Sequence, residues 1–114
     1  MQKEIIIQGK NYPVAFNMQA IINFEEIAQK SFFGVAFDRL SDRIALIVSA
    51  AFAADKEADL TVEAVMGGQD LDAVNNIIAA YNVVMELMGE FFKKPDVEPA
   101  DKPADEKPEQ ESKN

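Results

Sequence analysis

Side chains that hold a proton, a metal or a nucleophile are scarce in this sequence, and the few present are poorly grouped. The 114 residues include no Cys and no His. Without Cys there is no disulfide framework, no thiolate nucleophile and no Cys-bound zinc or iron–sulfur cluster. Without His the commonest general base and the commonest transition-metal ligand are missing. The closest carboxylate groups are Glu25-Glu26 and Asp70-x-Asp72. Neighbours on a helix point about a third of a turn apart, so Glu25 and Glu26 do not converge on one substrate atom. Asp70 and Asp72 read as cap and dipole residues at a helix start, and nothing resembles a calcium-binding loop. Gly67-Gly68 is a candidate phosphate cradle, but no Lys or Arg follows to neutralise the anion. A helix stop explains it better. The spacings of nucleotide-binding loops, nucleophile elbows and zinc-protease helices are all absent. The reading is therefore a protein that is not an enzyme, with no catalytic, cofactor-binding or metal-ligating residue and no cofactor.

Charge removes a further class. There are 20 acids against 11 bases, a formal net charge of −9. Nucleic-acid binding needs a basic footprint, so that partner is excluded. The charge is also unevenly placed. Residues 95–114 carry seven acids against three lysines, a net of −4, and four of the five prolines. They hold no aromatic residue, and such a segment cannot bury enough surface to offset its chain entropy. The chain divides into a folded domain over 1–94 and a disordered acidic, Pro-rich tail over 95–114.

No targeting signal is recognisable. The apolar run Ile5-Ile6-Ile7 is too short for a secretory segment, and Ile44 to Ala54 is too short to span a bilayer. The expectation is a soluble cytoplasmic protein with no membrane partner.

The elements follow from periodicity. Ile5-Ile6-Ile7 and Tyr12-Pro13-Val14-Ala15-Phe16 are short β-branched and aromatic runs around Gln8-Gly9-Lys10-Asn11. This predicts a β-hairpin, with Gly9 or Asn11 at positive φ and Pro13 on an edge. Tyr12, Val14 and Phe16 share one face across from Ile5 and Ile7. Asn17 caps a helix over Met18–Lys30 whose apolar face is Ala20, Ile21, Phe24, Ile27 and Ala28. Phe32, Phe33 and Phe37 anchor the following connection to the core. Ser41 caps a second helix running to Ala54. It is apolar nearly all round, so it is either central or covered by another chain. Thr61 caps a short helix that stops at Gly67-Gly68.

The last helix begins near Asp70 and runs to Lys94, where Pro95 ends it. Leu71, Val74, Ile78, Tyr81, Met85, Met88 and Phe92 recur in alternating steps of three and four, flanked by Ile77, Val84, Leu87 and Phe91. This stripe is wider than a coiled-coil seam and carries adaptable methionines. These seven residues are the candidate partner-binding surface, facing another protein or a second copy of the chain. The fold class is α+β: a short N-terminal hairpin packed on a bundle of three to four helices.

A resemblance sharpens the function. The run Ile7-Gln8-Gly9-Lys10-Asn11-Tyr12, then Ala20 to Phe24-Glu25-Glu26, and then Asp59-Leu60-Thr61-Val62-Glu63-Ala64-Val65 resembles, in that order, the tail assembly chaperones of long-tailed phages and prophages. The likeness spans roughly residues 4–66. It implies a small protein of viral tail morphogenesis, working in the bacterial host cytoplasm and absent from the mature virion. Its partners would be the tape measure protein, which it keeps soluble, and the tail tube protein, which it helps to recruit. The alternatives are a minor structural phage component, such as a connector or tail completion protein, and another kind of small helical interaction protein.

Overall fold

The chain first reverses at Gln8 and Gly9, with φ of 54° and 77°. Two successive residues with positive φ make a type I′ turn, whose twist matches that of paired strands. A computed structural model describes residues 2–67 and 69–93. In it the turn joins β1 (Gln2–Ile7) to β2 (Lys10–Ala15). The register sets Ile7 opposite Lys10, Ile5 opposite Tyr12 and Lys3 opposite Val14. Ile5, Ile7, Tyr12 and Val14 therefore share the buried face, and Ile6 points outward. Phe16 is buried just beyond β2. Asn11 does not take the positive φ. It pairs with Ile6 inside β2, and Gln8 turns instead. Glutamine has no special tolerance for that region, whereas asparagine does. Gln8→Asn is therefore expected to raise stability by about 0.5 kcal/mol, read as a higher urea midpoint with an unchanged slope.

The hairpin is completed by four helices: α1 (Met18–Ala28), α2 (Leu40–Ala54), α3 (Val62–Val65) and α4 (Leu71–Phe92). The fold is α+β, as the sequence predicts. The Asn17 side-chain oxygen accepts from the Ala20 N–H at 3.0 Å and starts α1. The helix ends sooner than expected, because Gln29 adopts the left-handed conformation at φ 60°. Ala20 and Phe24 are fully buried, but Ile27 lies at the margin of the contact and is exposed. Asn23 is half-buried. Its Nδ2 donates to the Ser49 carbonyl at 3.3 Å and so ties α1 to α2.

The start of α2 differs from the expected Ser41 cap. The cap position is Arg39, and it makes no side-chain capping bond. Asp42 takes over in the first turn, where a carboxylate complements the positive end of the helix. Its side chain is buried and meets Lys30 Nζ at 2.7 Å, linking the end of α1 to the start of α2. Ile44 through Ala51 are all buried. This chain itself surrounds α2, with α1, β2 and α4 packed on it. Of the two expected settings for this apolar helix, the central one is realised. Ser49 is tolerated inside it, because its hydroxyl is satisfied by donating to the Ala45 carbonyl at 2.6 Å.

Thr61 caps α3 as expected, accepting from the Ala64 N–H at 3.0 Å. The segment before it is pinned to the hairpin by Lys10 Nζ and Asp59 Oδ2 at 2.6 Å. That hydrogen bond raises the Lys10 ammonium above its ordinary pKa and lowers the Asp59 carboxyl below its own. Both groups are solvent-exposed, so the pair orients the turn more than it stabilises the fold. Asp70 caps α4 by accepting from the Ala73 N–H at 3.0 Å, and the helix lies against β1 and α2. The helix ends at Phe92, with Lys93 already extended at φ −69° and ψ 129°, short of the expected Lys94; Pro95 and the tail over 95–114 lie outside the described residues.

Candidate functional site

Helix α4 carries two parallel seams. One is Ala73, Ile77, Ala80, Val84 and Leu87, and all five are buried. The other is the predicted stripe, turned about a quarter of a revolution away. Within that stripe Val74, Tyr81 and Met88 are half-buried against the body. Leu71, Ile78, Met85 and Phe92 are exposed at 71, 40, 38 and 48%. The stripe of larger side chains is thus not what closes the domain. Small alanines let α4 approach α2 closely, and the larger residues are left on the flank.

The C-terminal half of the stripe is one wall of a groove. The other wall is the loop after α1, through Phe32, Phe33, Val35 and Phe37, and Tyr81, Met85, Met88 and Phe92 face it. The open space between the walls is about 480 Å³. Leu71, Val74 and Ile78 lie outside this groove. Val74 borders a smaller depression with Leu40 and Met66 at the other end of the helix.

The loop wall is held from below. Glu25 Oε2 accepts from the Phe32 N–H at 3.0 Å, which gives one of the two adjacent glutamates a structural role. Phe32 then packs edge-on to Phe24 at 5.7 Å between centroids, and Phe37 packs on Phe24 at 5.4 Å. Phe37 has φ 58°, an outlier for a bulky aromatic residue. Arg43 holds it there, with Nε donating to the Phe37 carbonyl at 2.6 Å. The same guanidinium lies over the Tyr81 ring, 4.7 Å from its centroid. Arg43 thereby braces both walls at once, and Tyr81 is partly a packing residue. Phe92 stacks on Phe32 at 6.3 Å, and Phe91 meets Phe16 edge-on at 5.3 Å, which fastens the end of α4 to the body.

Phe33 departs from expectation. The sequence places it with Phe32 and Phe37 against the core, yet it is 65% exposed at the groove's lip. The doublet Phe32-Phe33 lies in a turn closed by the Val35 N–H donating to the Phe32 carbonyl at 3.3 Å, and an aromatic doublet there leaves one ring over: Phe33 packs edge-on to Phe32 at 5.2 Å. That was the available sign that the loop, and not only α4, contributes to the surface. Val35 and Arg43 carried no comparable sign.

The groove offers flexible thioethers and aromatic faces, the surface that desolvates apolar side chains of varied shape. Among the described residues the carboxylates do not converge elsewhere. Asp70 and Asp72 occupy the cap and first turn of α4. Among the described residues no group of three or more Asp, Glu, His or Cys is placed to hold a metal ion. Among them, too, no helix is long and apolar enough to cross a membrane. Scans against protein-family models, curated proteins and solved structures each returned no match to this chain.

Proposed function

We propose that this chain is a phage tail assembly chaperone, a binding protein without catalytic activity, that keeps the helical tape measure protein soluble before the tail is built. One observation carries the reading: the apolar groove between the Phe32–Phe37 loop and the Tyr81–Phe92 half of α4. The sequence resemblance over residues 4–66 also supports it, and all of that likeness lies outside α4. A client segment with apolar residues at steps of three and four would lay one face along the groove, its side chains passing between Phe33, Met85 and Phe92. The negative charge of the chain would keep loaded complexes apart in the host cytoplasm. Delivery of the loaded client to tail tube subunits, and absence from the finished virion, belong to the same proposal.

The test is co-expression of the full chain with a helical stretch of the tape measure protein encoded beside it. The wild-type chain is expected to hold that stretch in the soluble fraction. Phe33→Ser removes the lip of the groove at a position that contributes little to the core. It is expected to weaken binding about tenfold or more while the unfolding transition stays in place. Undiminished capture by the variant would mean that the groove is not the client site. Stoichiometric recovery of the protein from purified virions would replace the chaperone by a structural component.

A further inference from the structure

The groove ends where the described chain ends. Phe92 lines it, Lys93 follows, and residues 94–114 continue from that point. Lys93 has φ −69° and ψ 129°, close to polyproline II. The chain beyond it holds Pro95, Pro99, Pro103 and Pro108. Polyproline II has three residues per turn, so positions three apart share an edge. Val97, Ala100 and Pro103 are such a set, an apolar edge in a segment rich in acids. Asp96, Glu98 and Asp101 fall on the other two edges. Lengths agree as well. At ~1.5 Å per residue, the helical wall from Tyr81 to Phe92 is about 16 Å long. At ~3.1 Å per residue, residues 97–103 span about 19 Å, and residues 94–96 remain to reverse the direction.

We infer that residues 97–103 dock in this groove of their own chain as a polyproline II strand running back along α4, and cover it until a client displaces them. The chemistry of the groove suits this occupant. Its walls are aromatic rings and thioethers, against which proline rings and small apolar side chains pack. Every residue lining it is uncharged, so the acidic edges of the strand turn to water. Glu86 and Glu90 lie on the other flank of α4, toward Lys3. Gly89 lines the groove, and a Cβ there would meet nothing within 4 Å. An extended backbone can therefore come close to the helix at that point. Attachment makes a weak contact sufficient. A segment on so short a linker is presented at an effective concentration on the order of millimolar, so an intrinsic Kd on the order of millimolar fills about half the grooves. The docking rests on the groove alone, and the displacement rests on the client reading.

Methionine-methyl NMR of the full chain tests the docking without any client. Met85 and Met88 line the groove, whereas Met18 and Met66 are exposed elsewhere. The variant Val97→Ser/Ala100→Ser/Pro103→Ser keeps length and charge and touches nothing in the core. It is expected to shift the Met85 and Met88 methyl signals and to leave those of Met18 and Met66 in place. Unmoved Met85 and Met88 signals overturn the inference. So do wild-type signals at these residues that change with protein concentration, since the occupant would then be the tail of a second copy. In titration with the tape measure stretch, the triple variant is expected to bind about two- to tenfold more tightly than the wild type, because its groove is no longer partly occupied. Equal affinity overturns the displacement. Failure of the wild type and the variant alike to bind the stretch would overturn the client reading and leave the methyl result standing.

Discussion

Replacing Phe24 with alanine is expected to lower the unfolding free energy by about 3–5 kcal/mol, seen as a large fall in urea midpoint. The side chain is fully buried, so its removal costs both transfer free energy and an unfilled cavity. It also removes two aromatic contacts, to Phe32 at 5.7 Å and to Phe37 at 5.4 Å. A domain of this size has only ~5–13 kcal/mol in total, so the variant stands near the edge of folding. The effect should reach the groove as well, because Phe32 and Phe37 seat its loop wall on Phe24. Client capture is therefore expected to fall together with stability. Phe33→Ser should lose capture alone. If Phe24→Ala kept full capture at a temperature where the protein is folded, the loop would not depend on that seat.

The buried pair between Lys30 and Asp42 yields the second large effect, and its two halves are unequal. Asp42 is only 5% exposed. Lys30→Met leaves that carboxylate buried without its cation, a loss of up to ~3–5 kcal/mol in a dry site. The Lys30 side chain is 38% exposed, so water reaches the pair and the expected loss is nearer about 2 kcal/mol. Asp42→Ala removes the buried charge itself and frees Lys30 into solvent. What remains is the lost first-turn acid and a small void, about 1 kcal/mol. The lysine variant is thus expected to be the less stable one in thermal unfolding, and the double variant should recover part of its deficit. The reverse order would mean that the start of α2 satisfies Asp42 without the lysine.

Much of the fold was legible because several cues agreed at each element. Gly9 between β-branched runs, Asn17 before an apolar period and Thr61 ahead of a glycine stop each combine local chemistry with pattern. The sequence is hardest to read where two patterns compete within one stretch. Along α4 the steps through Leu71, Val74 and Ile78 and those through Ala73, Ile77 and Ala80 are equally regular. Hydrophobicity favours the first set because its side chains are larger, whereas close packing favours the second because its side chains are smaller. At the start of α2, Ser41 and Asp42 are both good first-turn residues, and the tertiary contact with Lys30 decided between them. The loop wall of the groove was hidden for a different reason. Its placement rests on a positive φ at Phe37 and on Arg43 reaching two walls, and neither leaves a trace in periodicity.

The braced groove also has an order of assembly. One wall is laid down early in synthesis with Phe32 to Phe37, and the other arrives only with the final turns of α4. Chain growth runs from the N-terminus at ~5–20 residues per second. For some seconds the hairpin, α1 and α2 exist as nascent chain while Arg43 has no Tyr81 to lie over. The groove is therefore absent from a polypeptide that stops short of α4. A ribosome-bound fragment lacking α4 has only half a cleft, and the groove is complete only once α4 has been made and packed.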